Sequence, residues 1–327
     1  MMKVLALALL LTGTVHAQSV PALGVGLIRD GKLREVRVEG ELVQGQPAPY
    51  DTIFNVASLT KPLVAIVTLH LVAEGKWDLD EPLAKYWVDP DVAGDPRHRL
   101  LTTRHVLAHQ TGFKNWRWLD DLEKLVFHFE PGTQHQYSGE GFEYLRRALE
   151  KKFGVSLAEL SQKYVFDPLG MRDTQHAWDA RTDESRFAQW HDAKGAHAYP
   201  DHKTTRVNAA DDLLTTVEDY GRFAVWVMNG AGLPAPLFTA LTSPQARIRE
   251  HHAMSLGWEL FTNLSGGEYA LVHSGSDKGV KSLVIIMPKS RMGLVLMTNT
   301  DNGFALFEKV IIETLPLGKE LMARAKG

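Results

Sequence analysis

The chain has 327 residues, 36 Lys and Arg against 39 Asp and Glu, no cysteine, and a formal charge of −3. That length fits one large domain or two intimate ones, and 44% hydrophobic with 23% charged residues is a globular composition, neither disordered nor fibrous. Without cysteine, disulfides, thiolate metal sites, cysteine nucleophiles and lipidated cysteine anchors are excluded, and a pI near 6.5 leaves no electrostatic footprint for nucleic acid.

Met1 to Ala17 reads as a cleavable signal peptide. Lys3 precedes the apolar run Val4 to Leu11, and Val15 and Ala17 supply the small-residue cleavage pattern, with Gln18 as the new N-terminus. The run is shorter than the ~20 apolar residues a bilayer span needs. The expectation is export to the periplasm or beyond, with no stable membrane insertion once 17 residues are removed and 310 remain. An uncleaved N-terminal anchor is the other reading.

Leu23 to Ile28 and Leu33 to Val38 are short strands joined at Asp30-Gly31, a hairpin signal. Gly24 and Gly26 begin a dinucleotide fingerprint that Arg29 breaks. Leu59 to Ala73 is an almost wholly apolar helix ending before Gly75. Phe142, Leu145, Leu149 and Phe153 recur at helical spacing up to Gly154, and Thr216 to Asp219 looks like a capping box opening a helix over Tyr220 to Met228. Gly257 to Thr262, Tyr269 to His273, Ser282 to Met287 and Gly293 to Thr298 read as strands, the last two joined by Pro288 to Arg291. A helix, Phe304 to Glu313, follows. The expected fold class is α/β (α+β): an antiparallel β-sheet flanked by helices, with an inserted, mainly helical lobe. The sheet part would come from about 20–75 and 250–320, the lobe from about 76–250, with no independent boundary inside 18–327.

Ser58-Leu59-Thr60-Lys61 is the first chemical candidate. The spacing sets Ser58 and Lys61 on one face of one helical turn. A lysine is out of place at the start of an apolar helix, where the dipole opposes it. Dipole and desolvation both lower its pKa from the ordinary ~10.4, toward a neutral base. The Ser58 N–H at a helix start can serve an oxyanion. An ordinary first-turn lysine reaching solvent is the alternative.

Four further stretches follow in order: Arg104 to Gly112 (RHVLAHQTG), Glu130 to Thr133 leading to Tyr137-Ser138-Gly139, Phe166 to Met171 (FDPLGM), and His273-Ser274-Gly275. With Ile53 to Lys61 they resemble the serine β-lactamase and penicillin-binding-protein superfamily, in its class C-like branch of β-lactamases, esterases and D-amino-acid peptidases. The resemblance runs from about Val25 to Leu315. It implies that Ser58 is the acylated nucleophile, that Lys61 assists its deprotonation, and that Tyr137 shuttles the proton to the leaving group, its phenol lowered by Lys61. It implies too that His273, Ser274, Gly275 and Ser276 border the substrate, Gly275 letting substrate backbone approach and the Ser276 N–H completing an oxyanion hole with Ser58. No cofactor and no metal are required.

Two departures from that pattern bear on the substrate. Gly139 stands where the usual motif has Asn, so an amide that would grip a β-lactam's acyl carbonyl is gone. His273 replaces a lysine, and an imidazole with a pKa near ~6.5 binds carboxylate weakly at pH 7. Restoring Asn and Lys is expected to move the preference toward β-lactams. Glu140 either meets a substrate amine or is a solvated helix-start residue. His105 and His109 have i,i+4 spacing, but no Glu follows His105 and a zinc site is not expected. His191, Asp192, His197, Asp201 and His202 read as a solvated polar loop, and Trp116 and Trp118 either wall the cleft or fill core. The expected function is an exported serine hydrolase of small-molecule or peptide esters or amides. The alternative is a catalytically silent protein of the same fold that binds peptides or cell-wall fragments.

Overall fold

Asp30 and Gly31 both take left-handed backbone (φ 54° and 68°), and the turn folds strand β1 (Ala22–Arg29) back on β2 (Lys32–Val43). The protein is seen here in a computed structural model that describes residues 21–200 and 203–326. The expected signal peptide, Asp201 and His202 lie outside the described residues.

Further strands are β3 (Gln46–Pro47), β4 (Phe54–Asn55), β5 (Leu214–Thr215), β6 (Ala246–Arg249), β7 (His252–Met254), β8 (Glu259–Leu264), β9 (Glu268–Asp277), β10 (Val280–Met287) and β11 (Met292–Thr298). β4 and β5 pair by themselves; the others form one sheet in the order β3-β2-β1-β11-β10-β9-β8-β7-β6. Every pairing in it is antiparallel, and β1 joins β11 with Leu23 opposite Thr298 and Ile28 opposite Gly293. The fold is thus mixed α/β, built on a large antiparallel sheet drawn from both ends of the described chain.

The helices are α1 (Thr60–Ala73), α2 (Thr103–Leu107), α3 (Gly139–Phe153), α4 (Leu157–Ser161), α5 (Asp167–Leu169), α6 (Val217–Met228), α7 (Ala235–Leu241), α8 (Gly303–Thr314) and α9 (Gly318–Lys326). Strand alternation divides the core. Val284, Ile286, Val295 and Met297 face α1 and α6, whereas Ile285, Met287, Leu294 and Leu296 face α8 and α9. Gly24 and Gly26 have their reason here: a Cβ on them would lie 2.4 Å and 3.0 Å from the Val217 methyls, so the glycines let α6 lie directly on β1.

Three expectations are corrected. Much of the region expected to be helical is irregular chain between short turns, because Pro82, Pro90, Pro96 and Pro131 interrupt any longer helix. The Thr216 hydroxyl does accept the Asp219 N–H at 3.2 Å, but α6 starts at Val217 and the cap is not reciprocal. The Asp219 carboxylate instead accepts the Asp173 N–H and the Thr174 hydroxyl, at 2.9 and 3.0 Å. Last, His191 is buried against Asn299 rather than solvated, while His197 is exposed as expected.

Candidate active site

Ala57, the residue before Ser58, has a left-handed backbone (φ 45°), uncommon for a residue with a Cβ. Its N–H donates to Asn55 Oδ1 at 2.8 Å and its carbonyl accepts the Thr60 hydroxyl at 2.7 Å. A single 3-10 turn, Ala57–Leu59, runs straight into α1, which brings Lys61 beside Ser58. Lys61 Nζ donates to Ser58 Oγ at 3.0 Å and to the Ala210 carbonyl at 2.8 Å. Lys61 is fully buried. Burial lowers its pKa to about 8, against the opposing pull of Asp211 and Asp277. A neutral amine is therefore within reach near neutral pH.

Tyr137 joins them, its ring centre 4.7 Å from Lys61 Nζ. The expected lowering of the phenol by Lys61 does not occur. Burial raises it, and the hydrogen bond with Ser58 offsets only part of that rise. Lys61 Nζ lies over the ring, and burial keeps the Tyr137 proton in place at neutral pH. Beneath it His109 stacks at 4.2 Å and accepts the Ser138 N–H on Nδ1 at 3.0 Å. Burial, then the charges of Lys61, His273 and His135, hold His109 far below its ordinary value; it is a neutral prop. His105 caps α2 through Thr102. Among the described residues no group of three or more His, Asp or Glu is placed to hold a metal ion.

β9 carries His273, Ser274, Gly275 and Ser276 past the Ser58 turn. A Cβ on Gly275 would lie 2.2 Å from the Val56 carbonyl oxygen, 2.3 Å from Ser282 Oγ and 3.2 Å from the Ser58 nitrogen. The space opened by this glycine is therefore filled by the protein's own nucleophile turn, not by substrate backbone. Ser282 on β10 ties the same turn, donating to the Val56 carbonyl at 2.8 Å. His273 is buried, and burial followed by the charge of Lys61 lowers its pKa to about 4. Its Nδ1 lies 2.9 Å from the Ser274 carbonyl, which only accepts, so Nδ1 holds the proton and the ring is neutral.

A cleft of about 960 Å³ is lined by Trp116, Trp118, Glu140, Asp211 and Asp277 among others, and the last two tie it to Lys61. Trp118 is 60% exposed, so the two indoles wall the cleft. Glu140 is neither solvated nor free for a substrate amine. It is buried, and Arg117 holds it through Nε at 3.1 Å, Nη2 at 2.8 Å and its backbone N–H at 3.0 Å. Asp211, which sequence reasoning missed, has its carboxyl raised by burial and by the like charges of Asp277 and Asp212, with Lys61 opposing. No motif announces it.

The Beta-lactamase family profile matches residues 7–312. The chain belongs to the Beta-lactamase family. Esterase EstB of Burkholderia gladioli is 31% identical over 175 residues, 44% of each chain; this chain thus matches less than half of that esterase's length. A Beta-lactamase of Yersinia enterocolitica is 23% identical over 91% of this chain and 80% of its own. Among solved structures, the octameric penicillin-binding protein homologue from Pyrococcus abyssi superposes with a TM-score of 0.75 at 20% identity, over 86% of this chain and 70% of that one; this likeness shows the fold.

Proposed function

We propose that this protein is an exported hydrolase of esters or amides that works through an acyl-enzyme on Ser58. The observation that carries the reading is the buried Lys61 amine 3.0 Å from Ser58 Oγ, its pKa lowered to about 8. In the neutral state Lys61 takes the Ser58 proton as Oγ adds to the carbonyl carbon. Tyr137, protonated and hydrogen-bonded to Ser58, gives its proton to the leaving group and regains one from Lys61. Water then attacks the ester on Ser58 with Lys61 again as base, and Lys61 returns that proton to Ser58 Oγ as the Oγ–acyl bond breaks and the acid product leaves. The N–H groups of Ser58 and Ser276 are the donors for the oxyanion. No step calls on a metal or a cofactor.

Esters are favoured over carboxylate-bearing β-lactams. Gly139 offers no amide to an acyl carbonyl, and neutral His273 offers no cation to a carboxylate; hydrogen bonds of these two kinds are worth ~0.5–1.5 and ~1.5–3 kcal/mol. The test is incubation with a fluorophosphonate probe and with p-nitrophenyl acetate and nitrocefin, read by intact mass and by absorbance. The reading expects one adduct on Ser58, acetate turnover, slow or absent nitrocefin turnover, and a loss of roughly 10³–10⁶-fold in Ser58→Ala. An unlabelled, inactive wild-type protein would point instead to a silent binding protein. Efficient nitrocefin turnover without esterase activity would reverse the substrate order.

A further inference from the structure

Gly139 is matched to a specific neighbour. A Cβ on it would lie 2.8 Å from Cη2 of Trp116 and 3.0 Å from Cζ2 and Cζ3. The six-membered ring of Trp116 therefore covers the face of the helix start from which a side chain at this position would project, and it stands where the family's amide would be. Trp116 is itself stacked on Trp118, with ring centres 4.9 Å apart and planes within 10°.

The pair is fastened from behind. Arg117, between the two indoles in sequence, extends to Glu140, to Asp89 at 3.0 Å and to Asp91 at 3.0 Å. Asn115 Oδ1 accepts the Gly139 N–H at 2.8 Å, and the Asn115 carbonyl accepts the Glu140 N–H at 3.0 Å. The segment 115–118, the backbone that carries the indoles, is thus stitched to the first turn of α3. Their cleft of about 960 Å³ reaches Asp211 and Asp277, the carboxylates that act on Lys61. It is far larger than an acetyl group needs; Trp87 and Tyr144 add further aromatic lining, and charged side chains such as Asp89, Arg147, Arg206 and Lys278 complete it. Just beyond Trp118 in sequence, Leu119 and Leu122 are exposed.

We propose that Trp116 is the specificity-determining residue of this cleft: with Trp118 it forms an aromatic wall that selects esters or amides carrying a large, flat, apolar group. The inference rests on the proposed hydrolysis at Ser58. A flat ring gains burial and stacking against the outer face of Trp118, which Trp116 backs from the other side, whereas a small acyl group gains neither.

The test compares kcat/KM for p-nitrophenyl 2-naphthylacetate and p-nitrophenyl acetate in the full chain, Trp116→Ala and Trp116→Phe. The wild-type protein should prefer the naphthyl ester by tenfold or more. Trp116→Ala should cut that ratio about tenfold, chiefly through KM, and Trp116→Phe should keep most of it. Separately, calorimetric titration of Ser58→Ala with 2-naphthylacetamide should give binding that Ser58→Ala/Trp116→Ala weakens about tenfold. A ratio unchanged in Trp116→Ala, or a wild-type preference for acetate, overturns the inference while leaving hydrolysis at Ser58 standing. Absence of any Ser58-dependent turnover overturns the functional reading, and the calorimetric arm still decides whether Trp116 holds a flat ring.

Discussion

Lys61 works because it is buried deeply enough to lose its proton within reach of neutral pH, yet close enough to Asp211 and Asp277 not to lose it altogether. The sign of the pH dependence follows. The neutral amine accepts the Ser58 proton, and with a lowered pKa that form appears as pH rises. kcat/KM for p-nitrophenyl acetate, corrected for spontaneous hydrolysis, should therefore climb with a midpoint at about 8. Lys61→Arg should be inactive, since a guanidinium keeps its proton throughout this range; turnover retained there, or a profile flat through pH 8, would remove Lys61 as the base. Tyr137 has the complementary character, a phenol that burial keeps protonated and so able to donate. Tyr137→Phe should lower kcat by ~10²–10⁴-fold with little change in KM, and less for good leaving groups such as p-nitrophenolate than for alkoxides.

At the scale of elements, two glycines let segments meet that would otherwise be kept apart. Gly275→Ala would push a methyl into the Val56 carbonyl and Ser282 Oγ. It should cost on the order of 1–3 kcal/mol in urea unfolding and shift the Ser58 turn enough to lower kcat. Gly139→Asn meets the Trp116 ring in the same way, so it should destabilise the fold without the gain in nitrocefin turnover that the motif comparison alone leads one to expect. Adding Trp116→Ala should recover much of that stability, a non-additivity that a double-mutant cycle reads directly. These contacts also mark the limit of what the sequence discloses. β1, β9, β10, β11, α1 and α3 were legible because each has a clear apolar period and a turn or glycine at its end. β6 and β7 are four and three residues long, with Arg and His among them, and give no such period. Ser58, Lys61 and Tyr137 were legible through linked motifs. Trp116 on Gly139, Glu140 under Arg117 and Asp211 near Lys61 are pairings across 23 residues or more of chain, carried by no spacing rule.

The whole molecule joins both ends of its described chain in one sheet and hangs the site on the turn between β4 and α1, so global stability and the site's geometry are coupled. That stability should depend on acid in an unusual range. His70, His105, His109, His135, His176 and His273 all have lowered pKa values, with burial the largest cause in each, and His176 and His273 fall to about 4. A histidine lowered in the folded state favours folding fully only above its unfolded pKa of ~6.5, and that contribution is lost as pH falls toward the folded value. At pH 5 each of the two lowest withdraws ~2 kcal/mol, at ~1.36 kcal/mol per pH unit. Asp211 and Asp219 are raised and work the other way, but they are two against six. Carboxylates held low by Arg and Lys, such as Asp80 with Arg104, give up their share only below about pH 4.5. The urea midpoint should therefore drop steadily between pH 7.5 and pH 5, by an amount equal to several kcal/mol, before ordinary carboxylates titrate. A midpoint unchanged across that interval would mean that these imidazoles are not held neutral by the fold, and the neutral His273 on which the ester preference depends would fall with them.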